Sequence, residues 1–132
     1  MTDAPSVLIV EDDAHFRAGL VAMLKGLGLG CVPVASGHEA LEVLSDLSRE
    51  LHLVITDMRL KAGTGWEVVE AARTHRGESL PVIMQSGEAQ YSDVRSGARK
   101  YGIVLIDKAD VPQRLLPAVR EALRLCPDGA KE

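Results

Sequence analysis

The 132-residue chain has little of what several classes of protein require. Its two cysteines, Cys31 and Cys126, form no C-x-x-C motif and have no nearby pair of histidines, so we expect reduced thiols and no zinc site. Lysine and arginine form no cluster and the net charge is −4, which argues against nucleic acid or an anionic membrane as the main partner. No apolar run approaches the roughly 18 residues that span a bilayer, and the first residues lack the pattern of a secretion signal. We therefore expect a cytoplasmic protein that contacts neither a membrane nor nucleic acid directly.

What the chain does have is the composition of an ordinary globular domain. Hydrophobic residues make up 46% of it and charged residues 26%, both of which are usual for a folded protein. A length of 132 residues suffices for one full-sized core. We expect a single domain over residues 1–126, followed by a short tail over 127–132.

Five short apolar runs alternate with segments in which apolar residues recur at the spacing of a helix. The runs predict strands over 6–10, 31–35, 51–57, 80–86 and 102–106. The intervening segments predict helices over 16–27, 37–47, 68–75, 89–100 and 111–125. Because the strands are apolar throughout rather than alternating, we expect a parallel sheet that has helices on both faces. Right-handed crossovers restrict such a sheet to a few doubly wound arrangements, and Pro33 favours a position near the sheet edge for the second strand.

Polar residues follow the ends of four predicted strands. In a parallel sheet all strands deliver their carboxyl ends to one edge, where ligands bind. The residues brought there are Glu11, Asp12, Asp13, Asp57, Ser86, Gly87, Asp107 and Lys108. Taken singly, each type has a common structural explanation, because an acidic run starts a helix, an aspartate caps a turn and a lysine lies at the surface. The combination at one edge points instead to a functional site.

The acidic residues at this edge indicate a cation. Converging carboxylates repel one another and raise each other's pKa values unless a positive charge lies among them. Mg²⁺ prefers oxygen ligands and commonly binds through one or two carboxylates together with a phosphate. Lys108 adds a positive charge at the rim and Ser86 adds a hydroxyl group. The cluster therefore predicts a magnesium site that handles a phosphoryl group placed on or beside a carboxylate.

Four motifs around these residues resemble the receiver domain of bacterial two-component response regulators. They are VLIVEDD, LVITDMRLKAGTGWEVV, VIMQSG and VLIDK. The spacings are also similar to those of the family, with 45 residues from Asp12 to Asp57, 29 more to Ser86 and 22 more to Lys108. The resemblance covers about residues 6–125. It implies a doubly wound (βα)5 flavodoxin-like fold that has the strand order 2-1-3-4-5.

The resemblance also implies a role for each residue of the acidic cluster. Asp57 would be the phosphorylated aspartate. Mg²⁺ would be bound by Asp12, by Asp57 and by the main-chain carbonyl of Arg59, and Glu11 would hold the ion through water. Ser86 and Lys108 would contact the phosphoryl group and take part in the switch. Such a domain is a phosphoacceptor that assists its own phosphorylation and dephosphorylation, and it is not an enzyme acting on other molecules.

The same resemblance implies the partners. A sensor histidine kinase or a phosphotransfer protein would supply the phosphoryl group. Phosphorylation would change the surface formed by the fourth helix, fifth strand and fifth helix, which would then bind a downstream protein of unknown identity. If phosphorylation drives dimerisation, which the sequence leaves open, a homodimer would form through this same surface.

The chain departs from the family pattern at several positions. Leu105 stands where an aromatic switch residue is usual. Ala109 replaces the proline that follows the lysine, so we expect either a trans Lys108–Ala109 bond with a shifted loop or a cis bond held by strong contacts, since a non-proline cis bond costs about 3–4 kcal/mol. Lys61 replaces another proline, so we expect a looser loop over 58–64. Arg59 and Glu88 flank the phosphoryl position, where their opposite charges would pair and slow the attacking water.

Three further interpretations remain open. The chain could work as a stand-alone receiver without a DNA-binding effector, or it could be a fragment of a larger regulator or hybrid kinase. It could also be a receiver-like interaction module that is not phosphorylated, which Leu105 and Ala109 favour. A flavin carrier or a phosphatase on the same architecture is disfavoured, because the acidic sequence EDDAHF would repel phosphate and Arg59 stands where a phosphatase needs a second aspartate.

Overall fold

The computed structural model describes residues 4–124, in which five strands alternate with five helices. The strands are β1 (Ser6–Val10), β2 (Gly30–Val34), β3 (Leu53–Asp57), β4 (Val82–Ser86) and β5 (Val104–Asp107). The helices are α1 (Ala14–Lys25), α2 (Gly37–Ser45), α3 (Gly65–Arg76), α4 (Ser92–Tyr101) and α5 (Val111–Arg124), and one 3₁₀ turn covers Lys108–Asp110. The domain boundary predicted at residue 126, the tail and Cys126 lie outside the described residues.

All five strands are parallel and lie in the order β2-β1-β3-β4-β5, which confirms the predicted doubly wound fold. The register between β1 and β3 places Val10 opposite Thr56, so that Glu11 and Asp57 follow side by side at the carboxyl edge. Pro33 lies on β2 at the edge of the sheet, as predicted, where the absence of its N–H costs no hydrogen bond to a further strand.

Successive residues of the central strands point to opposite faces of the sheet, and both faces are buried. Val7 and Ile9 pack in a cluster with side chains of α1 and α5, including Leu20 and Leu115. Leu8 and Val10 pack on the other face against α2 and α3, in a cluster whose further members include Leu44, Val68 and Val69. Because both faces exclude water, these strands contain no alternating polar residues.

Several predicted boundaries differ from the observed ones for local reasons. The last strand begins at Val104 rather than at 102, because Gly102 adopts a left-handed conformation that ends α4. α4 itself begins at Ser92 rather than at 89, since a turn joins the Tyr91 N–H to the carbonyl of Glu88 at 3.1 Å. α2 ends at Ser45, and Leu47, predicted on its apolar face, is 66% exposed.

The remaining boundary differences are small. β2 starts and ends one residue before the predicted 31–35, and β3 and β4 each start two residues after their predicted first residue. Within residues 4–124, no helix combines the length and the apolar character needed to cross a bilayer.

Candidate functional site

Three carboxylates meet at the carboxyl edge of the sheet. Glu11 and Asp12 follow β1 and Asp57 ends β3, and one oxygen from each lies within 4.8 Å of the others. Glu11 is fully buried, Asp57 is 6% exposed and Asp12 is partly buried. The residues that the sequence predicts as a cation site therefore lie close enough together to share one ion.

Lys108 supplies the positive charge that faces this cluster. Its Nζ lies 2.9 Å from Asp57 Oδ2 and 3.8 Å from Glu11 Oε1, and it also lies 5.0 Å from the centre of the Phe16 ring. Burial alone would lower the pKa of Lys108. The hydrogen bond to Asp57 and the charges of Asp57, Glu11 and Asp12 outweigh burial, so that the net pKa is raised and the ammonium group is retained.

Glu11 is the carboxylate that loses most contact with water. Burial is the main cause that raises the pKa of its carboxyl, and the charges of Asp57 and Asp12 act in the same direction. Its Oε2 accepts the N–H of Asp13 at 3.1 Å, and its Oε1 accepts the Nε2 of Gln85 at 3.3 Å. A cation between these carboxylates would relieve the cost of their burial and mutual repulsion.

Gln85 is a site residue that the sequence analysis missed. It is fully buried on β4, directly before Ser86, and its Oε1 has no hydrogen-bond partner among residues 4–124. The signal was present in the sequence, because Gln85 directly follows the apolar run VIM and lies before the last residue of the predicted strand. A buried amide in such a run needs a partner, and here that partner is the carboxylate of Glu11.

Ser86 lies beside Asp57 on the neighbouring strand. Its hydroxyl is 2% exposed, accepts the N–H of Glu88 at 2.8 Å and donates towards Met58 Sδ at 3.5 Å. A cleft of about 360 Å³ lies over Asp57 and Lys108 and extends to Ser86 and Glu88. This space accommodates a group the size of a phosphoryl, which the hydroxyl could then contact.

An ion pair crosses the mouth of this cleft. Nε of Arg59 donates to Oε2 of Glu88, and the arginine side chain is 75% exposed while that of the glutamate is 30% exposed. The hydrogen bond and charge of Arg59 lower the pKa of the Glu88 carboxyl. The two residues that the sequence places on either side of the phosphoryl position are thus in direct contact.

The loop between β3 and α3 is bonded to its surroundings at three points. The N–H of Lys61 donates to Asp12 Oδ2 at 2.7 Å, the N–H of Gly37 donates to the carbonyl of Ala62 at 2.8 Å, and the N–H of Gly65 donates to the carbonyl of Met58 at 2.8 Å. These bonds differ from the looser loop expected from the replacement of proline by Lys61. The bond from Lys61 is the one of the three that proline could not make, because proline has no main-chain N–H.

Gly65 is a second residue that the sequence analysis did not single out. A Cβ at this position would lie 2.3 Å from the main-chain oxygen of Asp57 and 2.8 Å from the Cα of Met58. Glycine therefore allows the start of α3 to approach the end of the strand that carries Asp57. Thr64 and Glu67 form a reciprocal capping box around this helix start.

The turn after β5 contains Ala109, the residue that replaces the expected proline. The Lys108–Ala109 bond is trans. The N–H of Ala109 donates to Asp107 Oδ1 at 3.0 Å and so caps the 3₁₀ turn, a bond that proline could not make. Of the two bond geometries expected there, trans is the one observed.

Leu105 is partly buried and packs against the core cluster on the α2–α3 face of the sheet. Trp66 and Tyr101 pack against the same cluster, and their ring centres are 6.2 Å apart. The Tyr101 hydroxyl donates to Glu70 Oε2 at 2.8 Å. Tyr101 therefore joins α4 to α3 and is held by these two contacts. His15, which lies near the acidic cluster in sequence, is exposed on α1.

Residues 7–120 match the family model described as the response regulator receiver domain. The chain is 30% identical over 112 residues to the two-component response regulator ORR3 of Oryza sativa subsp. indica, and the alignment covers 81% of this chain and 85% of that protein. It is 29% identical over 126 residues to the DNA-binding response regulator MtrA of Mycobacterium tuberculosis (strain ATCC 25618 / H37Rv), covering 96% of this chain and 54% of MtrA. The chain thus spans about half the length of the MtrA relatives that it matches.

A solved structure of similar shape is the CheY-like receiver domain protein from Methanospirillum hungatei JF-1. The two superpose with a TM-score of 0.83 at 23% sequence identity, over 97% of this chain and 98% of that one. CheY4 of Vibrio cholerae superposes with a TM-score of 0.79 at 24% identity, over 91% of this chain and 99% of CheY4. At these identities the similarity establishes the fold.

Proposed function

The chain belongs to the response regulator receiver domain family, and from that premise we propose that Asp57 accepts a phosphoryl group from a phosphohistidine of a sensor kinase or phosphotransfer protein. The observation that carries this proposal is the position of the Asp57 carboxylate. It ends β3 beside the carboxylates of Glu11 and Asp12, within 2.9 Å of Lys108 Nζ and at the base of an open cleft. Receiver domains of this family are signalling modules of two-component systems.

The donor set fits Mg²⁺. The atoms available are carboxylate oxygens, which Mg²⁺ prefers. Two of the three carboxylates are buried, and one oxygen of each lies close enough to the others for a shared cation to offset their repulsion. We propose that Asp12, Asp57 and the main-chain carbonyl of Arg59 hold the ion and that Glu11 contacts it through water. When bound, Mg²⁺ would supply charge that offsets the negative oxygens of the phosphoryl group.

The transfer needs one nucleophile and one leaving group. An Asp57 carboxylate oxygen forms the new bond to phosphorus while the bond from phosphorus to the histidine nitrogen breaks, and that nitrogen keeps the electron pair and takes up a proton. Lys108 contacts the phosphoryl oxygens, because its ammonium group already lies at Asp57. Ser86 donates its hydroxyl to another phosphoryl oxygen. Water later attacks the acyl phosphate and restores the carboxylate.

The Arg59–Glu88 pair controls access of that water. The pair lies across the cleft in front of Asp57, in the path of an incoming molecule. Because both side chains are partly or largely exposed, the ion pair contributes little to stability. We expect Arg59→Ala and Glu88→Ala to dephosphorylate faster than the wild type while their free energies of unfolding change little. If both variants dephosphorylate at the wild-type rate, the pair does not control the access of water.

The output surface is formed by α4, β5 and α5. Arg95, Arg99 and Arg114 line a cavity of about 400 Å³ there, together with Leu105. Among residues 4–124, Asp107 is the one acidic residue that lines the same cavity, so a twofold dimer would bring two patches of net positive charge together. An acidic downstream protein fits this surface better than a second copy does. Sedimentation of the Mg²⁺–beryllofluoride form tests the choice: we expect the wild type to stay monomeric, and a wild-type dimer that Arg114→Glu weakens would favour self-association instead.

A second candidate function is that of an interaction module that is not phosphorylated. Leu105 in place of an aromatic residue and the trans Lys108–Ala109 bond favour it, since both alter the part of the molecule that responds to phosphorylation in the family. The intact set of Glu11, Asp12 and Asp57 with Lys108 weighs against it.

Incubation with acetyl phosphate and Mg²⁺, followed by intact mass measurement, separates the two functions. We expect one phosphate adduct on the wild type and none on Asp57→Asn. Omission of Mg²⁺ is the control for the cation. A wild type that gains no adduct under conditions in which it remains folded would favour the interaction module.

A further inference from the structure

The main-chain amide of Lys61 makes a contact that links two distant parts of the site. Its N–H donates to Asp12 Oδ2 at 2.7 Å, so that a residue of the β3–α3 loop bonds a carboxylate that follows β1. Hydrogen bonds from an amide to an ionised carboxylate are stronger than those between neutral groups. The contact requires a residue other than proline at position 61, because proline has no N–H.

Unlike the other two carboxylates, Asp12 forms no ion pair within residues 4–124, so it depends more on this one contact. Glu11 accepts hydrogen bonds from Asp13 and Gln85 and lies near Lys108, and Asp57 is paired with Lys108 at 2.9 Å. For Asp12, the Lys61 amide is the one hydrogen-bond donor found among residues 4–124. Without it, repulsion from Glu11 and Asp57 would turn the partly buried Asp12 carboxylate towards solvent.

The amide is itself held in place on both sides. The carbonyl of Ala62, the next residue, accepts the N–H of Gly37 at 2.8 Å, and a Cβ on Gly37 would lie 3.0 Å from that carbonyl. After the loop, the N–H of Gly65 is bonded to the carbonyl of Met58 at 2.8 Å. The starts of α2 and α3 thus fix the loop, so that the donor is directed at Asp12.

We propose that the main-chain N–H of Lys61 is a positioning group that keeps the Asp12 carboxylate directed towards Asp57 and thereby raises the affinity of the site for Mg²⁺. The inference rests on the proposed function only in that it takes Mg²⁺ as the cation of this site. The bond occupies one Asp12 oxygen and leaves the other for the ion. Hydrogen bonds to the ligands of a metal typically account for about 10–100-fold in metal affinity.

Two substitutions at the same position separate the main chain from the side chain. Lys61→Pro removes the N–H, whereas Lys61→Ala removes the exposed ammonium group and keeps the N–H. We expect calorimetric titration with Mg²⁺ to give a dissociation constant about 10-fold higher for Lys61→Pro than for Lys61→Ala, which we expect within about twofold of the wild type. Equal dissociation constants for the two variants would overturn the proposal.

Amide hydrogen exchange of the wild type gives a second test that does not depend on the folding of Lys61→Pro. If the N–H positions Asp12, the Lys61 amide stays protected from exchange when Mg²⁺ saturates the site, and Asp12→Ala removes that protection. Loss of protection on addition of Mg²⁺ to the wild type would mean that the ion competes with the bond, and would overturn the proposal.

The two proposals fail in different ways. A wild type that binds no Mg²⁺ and gains no phosphate adduct contradicts the proposed function. A wild type that binds Mg²⁺ and is phosphorylated, while Lys61→Pro and Lys61→Ala bind the ion equally, contradicts only the role of the Lys61 amide.

Discussion

Two regions of the molecule differ in how firmly packing and hydrogen bonds fix them. One is formed by the carboxyl ends of β1 and β3, and the other lies around α4. At the first region, Glu11 and Asp57 are almost completely buried and bonded, and Gly65 leaves no space for even a methyl group beside Asp57. At the second, Val104 on β5 is 46% exposed. At the N-terminus of α4, the side chain of the N-cap residue Tyr91 accepts no hydrogen bond from the helix N–H groups of the described residues.

The difference follows from what each region is proposed to do. Transfer of a phosphoryl group needs donors and acceptors at fixed distances, which burial and hydrogen bonds provide. A surface that changes shape in response to phosphorylation needs a low free-energy cost of local rearrangement. Ser92, Ser96 and Gly97 weaken α4 by their low helix propensity, and this helix is attached to α3 through the Trp66–Tyr101 contact.

Gly65→Ala is the substitution expected to cost most, because it acts where the structure has no space. Its Cβ would lie 2.3 Å from the main-chain oxygen of Asp57, so the start of α3 must move away from β3. We expect urea denaturation to show a loss of about 3 kcal/mol in the free energy of unfolding. Gly87→Ala, whose Cβ would meet no heavy atom of the described residues within 4 Å, is the control and should change stability by less than about 0.5 kcal/mol. Equal stabilities of the two variants would contradict the tight packing at this edge.

Lys108→Ala tests the chemistry of the same region. The ammonium group lies 2.9 Å from Asp57 and would face the charge that develops on the phosphoryl oxygens. We expect the rate of phosphorylation by acetyl phosphate, followed by mass, to fall about 10²-fold, as for loss of one stabilising donor in a transition state. Lys25→Ala, at the end of α1, is the control for the loss of one positive charge. A rate within twofold of the wild type for Lys108→Ala would exclude this role.

In the region around α4, we expect a glycine-to-alanine substitution to lower the free energy of unfolding by less than Gly65→Ala does. A Cβ on Gly97 would lie 2.9 Å from the end of the Trp66 ring, a side chain that can shift. The crowding outweighs the gain in helix propensity, so we expect Gly97→Ala to lose about 1 kcal/mol in urea denaturation. Gly19→Ala on α1, where a Cβ meets no heavy atom of residues 4–124 within 4 Å, should instead gain about 0.5–1 kcal/mol. A loss at Gly97 as large as that at Gly65 would refute the difference between the regions.

The smallest expected effect is a dependence of stability on pH at Glu11. Burial raises the pKa of its carboxyl above 4.5, so the folded state binds this proton more tightly than the unfolded state does. The resulting stabilisation is fully present below about pH 4.5 and is lost as the pH rises through the raised folded-state pKa. Without metal, we therefore expect the stability of Glu11→Gln relative to the wild type to increase from pH 4.5 to pH 7. A relative stability that stays constant over this range would show that burial of Glu11 has no such cost.

Much of the fold was predictable because the physical signals are local. The central strands are apolar throughout, as burial on both faces requires, and the helices show periodic apolar residues, so the parallel sheet with covered faces followed from the sequence. Boundaries were less accurate where a single main-chain conformation decides them. Gly102, for example, adopts a left-handed conformation and ends α4 two residues before β5.

The candidate site was predictable in its residue types and not in its supporting contacts. Strand ends in a parallel sheet meet at one edge, so the convergence of Glu11, Asp12 and Asp57 could be expected from the order of elements. The bond from the Lys61 amide to Asp12 could not, because it depends on the path of a loop rather than on a side chain. The need for glycine at position 65 likewise depends on how closely α3 approaches β3.

The proposed role of Asp57 as the phosphoacceptor is tested most directly by identifying the residue that is modified. Borohydride reduces an aspartyl phosphate to homoserine, which peptide mass spectrometry then locates. After treatment with acetyl phosphate and Mg²⁺, we predict homoserine at position 57 and its absence when EDTA replaces Mg²⁺. Phosphorylation at another residue, such as His15, or no modification of a folded wild type, would contradict the account.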